Sequence, residues 1–237
     1  MIFLIAAAVT AATPQPSPCP EVLTDKAFAC RALEASKAGR NAEAAQDFEQ
    51  AAGLTKPNDP ATARAWAAAG NMWIAAGDPA KAGLDLDRAL SGAGLPTLQR
   101  GEVLLDRARA AEEQGDLKTA RAKVTEASQS ISGDPFLWYF SAALAIREGD
   151  LANAKTSIGR ALELDPNDPA MLFEAGHIAE LGDDDAGARD YWTRAAAGDP
   201  NGEIGKAARQ ALDAIGPALT VKTGGLPVLS RDRNRRW

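Results

Sequence analysis

The chain contains few of the residues from which most active sites are built. It has one histidine, His177, and two cysteines, Cys19 and Cys30, in 237 residues. A single histidine cannot supply a multi-histidine metal site, and both cysteines lie near the N-terminus, outside any zinc-ligand spacing. The run Asp183-Asp184-Asp185 does not alternate oxygen ligands as a calcium loop would, so it is interpreted as a solvated turn. The sequence therefore predicts no enzyme, no cofactor and no metal.

Aromatic residues are also scarce, at 5% of the chain, whereas alanine is abundant. This composition is typical of thin helices that pack closely and does not fit a thick β-sandwich core. The net charge of -6 gives no general reason to bind nucleic acid. No run of about 20 apolar residues is present, so no stable membrane span is predicted.

A short apolar segment occupies residues 1–12 and is followed by small residues. It resembles the centre and cleavage region of a secretory signal, although no lysine or arginine precedes it. Export is the preferred interpretation, which predicts a periplasmic or secreted protein. A frayed apolar N-terminus on a cytoplasmic protein is the alternative.

Residues 13–24 form a proline-rich spacer, since proline at every second position excludes a helix. Cys19 lies in this spacer and Cys30 on the first predicted helix. Two interpretations are open for this pair. In an exported chain the two thiols could form a disulfide, but sequence spacing alone fixes no geometry, so two free thiols are the alternative.

The remainder of the chain is dominated by a repeat. Two alanine series run through it in phase, with gaps of 38, 38, 34 and 34 residues in each. The first series is Ala44, Ala82, Ala120, Ala154 and Ala188, and the second lies seven residues further on at Ala51, Ala89, Ala127, Ala161 and Ala195. A repeat of this period indicates stacked supersecondary units. The predicted units are 25–58, 63–96, 101–134, 135–168 and 169–202.

Each unit is predicted to be a helix, a glycine-containing turn and a second helix. In the second unit Trp66, Gly70 and Trp73 recur at spacings of three and four, which places them on one helix face. The sequence Gly77-Asp78-Pro79 then ends that helix and starts the next. Small residues such as Gly70 and Ala154 are expected where the two backbones approach, so that larger side chains there should separate the helices. The predicted fold class is all-α.

This pattern resembles the tetratricopeptide repeat (TPR) family. The second unit supplies the family positions Trp66, Gly70, Trp73, Ala82 and Ala89, and the fifth supplies Leu172, Gly176, Ala188, Trp192, Ala195 and Pro200. In the fifth unit the turn glycine, Gly182, comes one residue early. The resemblance implies a right-handed α-solenoid of about five helix-turn-helix repeats. Residues 203–215 are predicted as an amphipathic helix that closes the array, and 216–237 as a disordered basic tail with five basic residues and one acidic residue.

The resemblance also implies a concave groove, lined by the first helices, that receives a peptide or protein. Family positions place Ile74, Leu105 and Glu112 on this inner face together with seven candidate binding residues. These candidates are Arg64, Asn71, Arg109, Phe136, Tyr139, Phe173 and His177. Aromatic and arginine side chains are typical binding anchors. The alternative is that Phe136 and Tyr139 pack on neighbouring helices and that His177 is half-buried and hydrogen-bonded.

The leading functional hypothesis is a non-enzymatic scaffold or adaptor in the bacterial periplasm that holds a protein or peptide partner. A small-molecule or glycan-binding protein, or an enzyme, with a pocket around His177, Glu180 and Tyr139 is the first alternative. A cytoplasmic TPR scaffold is the second. The partner's identity and the oligomeric state are left open by the sequence.

Overall fold

A computed structural model describes residues 19–57, 59–92 and 94–216 of the chain. All regular structure in these residues is helical, in eleven helices. They are α1 Asp25–Lys37, α2 Asn41–Leu54, α3 Pro60–Ala75, α4 Pro79–Ser91, α5 Thr97–Glu113, α6 Leu117–Ile131, α7 Pro135–Arg147, α8 Leu151–Leu164, α9 Pro169–Leu181, α10 Asp185–Gly198 and α11 Glu203–Ala214. The predicted all-α class built from helix-turn-helix repeats is confirmed.

Contacts divide the chain into two compact units, Met1–Asp150 and Leu151–Trp237. Helices α1 to α7 belong to the first unit and α8 to α11 to the second. The boundary falls in the turn of the predicted repeat 135–168, so α7 and α8 are described with different units. The signal-like segment 1–12, most of the spacer and the predicted tail from residue 217 lie outside the described residues.

Aspartate side chains start most of the helices. Six of them accept a hydrogen bond from a backbone N–H in the first turn, namely Asp59, Asp78, Asp116, Asp134, Asp168 and Asp184. Such caps satisfy amides that have no partner within the helix. For Asp78 the hydrogen bond from the Lys81 amide is the main cause that lowers the pKa of the carboxyl. A share of the chain's acidic residues is therefore used to define helix starts.

The turns within the repeats use a left-handed residue. Gly39, Gly77, Gly115 and Gly149 all have φ between 72° and 78°, which glycine adopts without steric cost. In the fifth repeat the glycine precedes this position, and Asp183 takes φ 59° instead. Aspartate is one of the few other residues found in this region. The acidic run therefore lies in a turn, where Asp184 also caps α10.

Both alanine series are buried throughout. All ten members are at most 3% exposed, and nine of them are fully inaccessible. In the first unit α3 packs on α4 and α5 on α6, and in the second unit α9 packs on α10. Small side chains at these positions allow helix axes to approach to about 8–10 Å. The alanines identified by their period are thus core residues.

At two positions of the first helices, a neighbouring side chain fills the space that a Cβ would need, and glycine stands there. A Cβ built on Gly70 would lie 2.5 Å from Leu86 Cγ, and one on Gly176 would overlap the indole of Trp192. Trp192 is 1% exposed and donates from Nε1 to the Phe173 carbonyl at 3.0 Å. The tryptophan therefore occupies space that only glycine leaves free.

The last helix, α11, packs against α10 and α9 in the second unit. Ala208 and Ile215 are buried with Leu172 and Trp192 in one apolar cluster, while the opposite face of α11 carries exposed charged residues. This is the arrangement expected of a helix that covers the end of a repeat array. Within the described residues, no helix combines the length and the apolar character needed to cross a membrane.

Substituting Gly176 by alanine is expected to destabilise the second unit by about 1–3 kcal/mol, because the new methyl group overpacks the buried indole of Trp192. The matched control is Gly159→Ala on α8, where a Cβ would meet nothing within 4 Å. That change should be neutral or stabilise by up to about 1 kcal/mol through helix propensity. Urea denaturation of the two variants measures the difference, and equal effects would contradict the packing described.

Candidate peptide-binding surface

A row of connected side chains runs along the first helices of three successive repeats in the first unit. On α3, the Asn71 Nδ2 amide donates to Asp106 Oδ2 of α5 at 2.9 Å. On α5, the Arg109 guanidinium donates to the other oxygen, Asp106 Oδ1, also at 2.9 Å. Asp106 therefore accepts from both Asn71 and Arg109, and each of its oxygens binds a residue of a different repeat. It was not predicted as a site residue, although it lies three residues before Arg109.

The row continues into an aromatic pair on α7. The Arg109 guanidinium carbon lies 5.9 Å from the centroid of the Phe136 ring, and the Phe136 and Tyr139 ring centroids are 6.0 Å apart. Phe136 is 41% exposed, so it is not a core residue. We call Asn71, Asp106, Arg109, Phe136 and Tyr139 the first-helix row. Polar and aromatic candidates that are far apart in the sequence are thus neighbours in one unit.

Other residues of the predicted inner face have different environments. Ile74 and Leu105 are 8% and 5% exposed and pack in the core, so their placement on a binding surface was wrong. Position within the repeat does not distinguish a residue at the helix–helix contact from one beside it. Glu112 pairs with Arg147 across α5 and α7. Arg64 is exposed on α3 and forms no ion pair within the described residues.

The remaining candidates, Phe173 and His177, lie on α9 in the second unit. The His177 ring packs edge-on against Phe173, at 4.4 Å between centroids, and against Trp192 at 5.5 Å. Its Nδ1 is 3.8 Å from Glu174 Oε2. His177 is therefore partly integrated into the aromatic packing around Trp192. Its side chain nevertheless remains 40% exposed.

Cys19 and Cys30 are joined by a disulfide, with their Cα atoms 5.7 Å apart. The bond fixes the end of the spacer to α1, and Arg31 reinforces this by donating to the Pro20 carbonyl at 3.0 Å. Cys19 is 5% exposed. The spacer residues next to α1 thus belong to the first unit.

A cleft of about 600 Å³ opens elsewhere in the first unit, where the ends of α2 and α4 meet the start of α3. Trp66 and Arg88 line it, and the Arg88 guanidinium lies 4.6 Å from the centroid of the Trp66 ring. None of the seven sequence-predicted binding residues lines this cleft. Among the described residues, no group of three or more histidine, cysteine, aspartate or glutamate side chains is arranged to hold a metal ion.

Comparison with known proteins defines the class. A tetratricopeptide repeat model matches residues 31–97 and 141–203, which is more than half of the chain. The chain therefore belongs to the tetratricopeptide repeat family. A search of curated protein sequences gave no match.

Several solved structures share the fold at low identity. PilW, a widely conserved type IV pilus biogenesis factor, is 20% identical with a TM-score of 0.68, covering 78% of this chain and 82% of PilW. YrrB, a TPR protein with an unusual peptide-binding site, is 18% identical with a TM-score of 0.58, covering 78% of this chain and 91% of YrrB. MamA from Desulfovibrio magneticus RS-1 is 16% identical with a TM-score of 0.63, covering 76% and 97%. At these identities the similarity concerns the fold alone.

The hydrogen bond between Asn71 and Asp106 should appear as an energetic coupling between neighbouring repeats. In a double-mutant cycle with Asn71→Ala and Asp106→Ala, we expect a coupling free energy of about 1 kcal/mol in urea unfolding. Arg64→Ala with Asp106→Ala is the control pair and should give a coupling near zero. Equal coupling in both cycles would show that the contact does not form.

Proposed function

We propose that this chain is a non-enzymatic scaffold that binds a protein or peptide partner along the first-helix row, in the periplasm of a bacterium. The observation that carries the proposal is the row itself, in which an aromatic pair of the exposed Phe136 and the half-buried Tyr139 adjoins an arginine and an amide on three successive first helices. First helices of stacked repeats form the extended concave surfaces with which repeat proteins bind partners. A peptide can therefore contact several repeats at once.

The aromatic end of the row is suited to an apolar side chain. Phe136 is 41% exposed, and its ring contacts Tyr139 and the Arg109 guanidinium. Aromatic and arginine side chains are enriched among binding anchors, and aromatic rings bury a large area with little loss of side-chain entropy. We infer that the partner places an aliphatic or aromatic side chain over this pair.

The polar end of the row is already ordered before a partner binds. Asp106 fixes Asn71 through one oxygen and Arg109 through the other. The Arg109 side chain remains 34% exposed, which leaves guanidinium N–H groups for a further acceptor. Side chains that are held in place lose less entropy on binding. A backbone carbonyl or a carboxylate of an extended peptide is the acceptor that this end would take.

The periplasmic part of the proposal is supported by the disulfide. The chain has only two cysteines, and they are bonded to each other. Disulfides persist in oxidising compartments and are rare in the cytosol. Together with the apolar segment predicted over residues 1–12, this favours export.

Binding is tested with peptides selected by phage display against the wild-type protein. Affinities for the selected peptides are then measured for Arg109→Ala, Phe136→Ala and Tyr139→Ala. We expect each variant to weaken binding about tenfold or more, the effect of removing an anchor worth about 1.4 kcal/mol. The affinity of Phe173→Ala tests separately whether the second unit contributes to peptide binding.

Leu84→Ala is the matched control, because Leu84 is a 62% exposed apolar residue on a second helix, α4. It should leave the affinity unchanged. Wild-type affinity in all three row variants, or an equal loss in Leu84→Ala, would reject the first-helix row as the binding surface.

Export is tested by expressing the full chain in a bacterium and sequencing the N-terminus of the protein recovered after cell fractionation. We expect periplasmic protein that begins near the end of the segment 1–12 and has no titratable thiol. A cytoplasmic protein that retains Met1 and reacts with two equivalents of thiol reagent would contradict the localisation and leave the binding proposal to its own test.

A further inference from the structure

Asp85 is the most deeply buried ionisable side chain of the described residues, at 2% exposure, and it lies on α4. Its Oδ1 accepts from the Arg88 guanidinium at 2.8 Å. Its Oδ2 is buried and has no hydrogen-bond donor among the described groups. A buried carboxylate oxygen without a donor is costly, so this atom requires an explanation.

The side chain that faces Asp85 is a second carboxylate. Glu49 of α2 lies within hydrogen-bonding reach of the Asp85 side chain. Glu49 Oε1 in turn accepts from the Trp73 indole Nε1 of α3 at 2.7 Å. Two ionised carboxylates offer only acceptors to each other. One proton between them converts Asp85 into a donor and satisfies its Oδ2.

The neighbouring charged groups do not remove the need for a proton between Asp85 and Glu49. On α4 the Arg88 guanidinium lowers the pKa of Asp85, but burial and the Glu49 carboxylate outweigh it and raise that pKa to about 7. Helix α3 contributes the uncharged Trp73 indole. Helix α5 packs on α4, but its Arg107 pairs with Asp87 at 2.9 Å. Glu49 is therefore the acidic group that acts on Asp85, and Arg88 the basic one.

We propose that Asp85 and Glu49 share one proton and form a pH-sensitive latch between the first repeat, through α2, and the second repeat, through α3 and α4. In the closed form, protonated Asp85 donates to the Glu49 carboxylate, which also accepts from Trp73. When the proton leaves to solvent, the buried Asp85 carboxylate faces a like charge on the half-buried Glu49. The hydrogen-bonded series that joins α4, α2 and α3 then loses the bond between Asp85 and Glu49. The packing of the first repeat weakens as a result.

The direction of the pH dependence follows from the raised pKa. In the unfolded chain Asp85 has its ordinary pKa of 3.8, so the folded state binds the proton more tightly between pH 4 and 7. The stabilisation from this proton is complete below about pH 4. It is lost as the pH rises towards 7 and stays lost above it. This trend is opposite to that of salt-bridged carboxylates, which stabilise as the pH rises.

The Trp73 indole N–H provides a local readout, because it binds Glu49 directly. In ¹H–¹⁵N spectra of the full chain, we expect its resonance to shift with a midpoint near pH 7. Asp85→Asn keeps a donor to Glu49 but cannot titrate, so the midpoint should vanish. Glu49→Gln removes the second charge and gives Asp85 an amide donor, so that variant should also lack it. Trp73→Phe assigns the resonance.

Asp87→Asn is the matched control, since Asp87 lies on the same helix and is 51% exposed. It should retain the midpoint. The difference between the urea midpoints of wild type and Asp85→Asn should grow from pH 5 to 7 and then level off. A Trp73 midpoint that persists in Asp85→Asn, or a wild-type resonance that does not move between pH 5.5 and 8.5, would overturn the latch.

Discussion

Close contact between paired helix backbones is the constraint on which the rest of this structure depends. The described helix pairs meet at alanines that are almost completely inaccessible, and Gly70 and Gly176 stand where even a methyl group would overlap a neighbour. Each such contact contributes little dispersion energy, but an interface without voids contains many of them. Large side chains are few, so short distances between helices stabilise the fold together with the bulky residues that are buried, such as Trp73, Leu137 and Trp192.

This use of small residues inside the helix pairs has a consequence for binding. Some large side chains of the first helices, such as Trp73 and Leu137, are buried in the core, but others, such as Phe136, remain accessible. Asn71, Asp106 and Arg109 link α3 to α5, and Phe136 extends the contact to α7. One repeat positions the side chains of the next, which is how a surface larger than one unit becomes ordered. The cost is modest, because these groups stay partly hydrated.

The Asp85–Glu49 pair departs from the rule that the helix interfaces are small and apolar. A carboxyl with an orphaned oxygen in a core of alanine and leucine reduces stability relative to an apolar residue. The Asp85–Glu49 pair also forms a contact whose strength depends on one proton. The pair joins the first repeat, which also carries the disulfide, to the second repeat, which begins the first-helix row.

The period of the alanines determined the fold class, the number of helices per repeat and the positions of closest approach, because steric limits on helix packing depend on local sequence. It also located the turns, including the early Gly182 whose place is taken by Asp183 at positive φ. Family positions indicated the candidate surface but misplaced Ile74 and Leu105, since a residue's place in a repeat does not fix how far its helix rotates towards a neighbour. Asp106 as a shared acceptor, the disulfide of Cys19 with Cys30 and the facing carboxylates of Glu49 and Asp85 were decided only by tertiary structure. Each depends on distances between side chains from different helices, and these distances exist only when the repeats have packed.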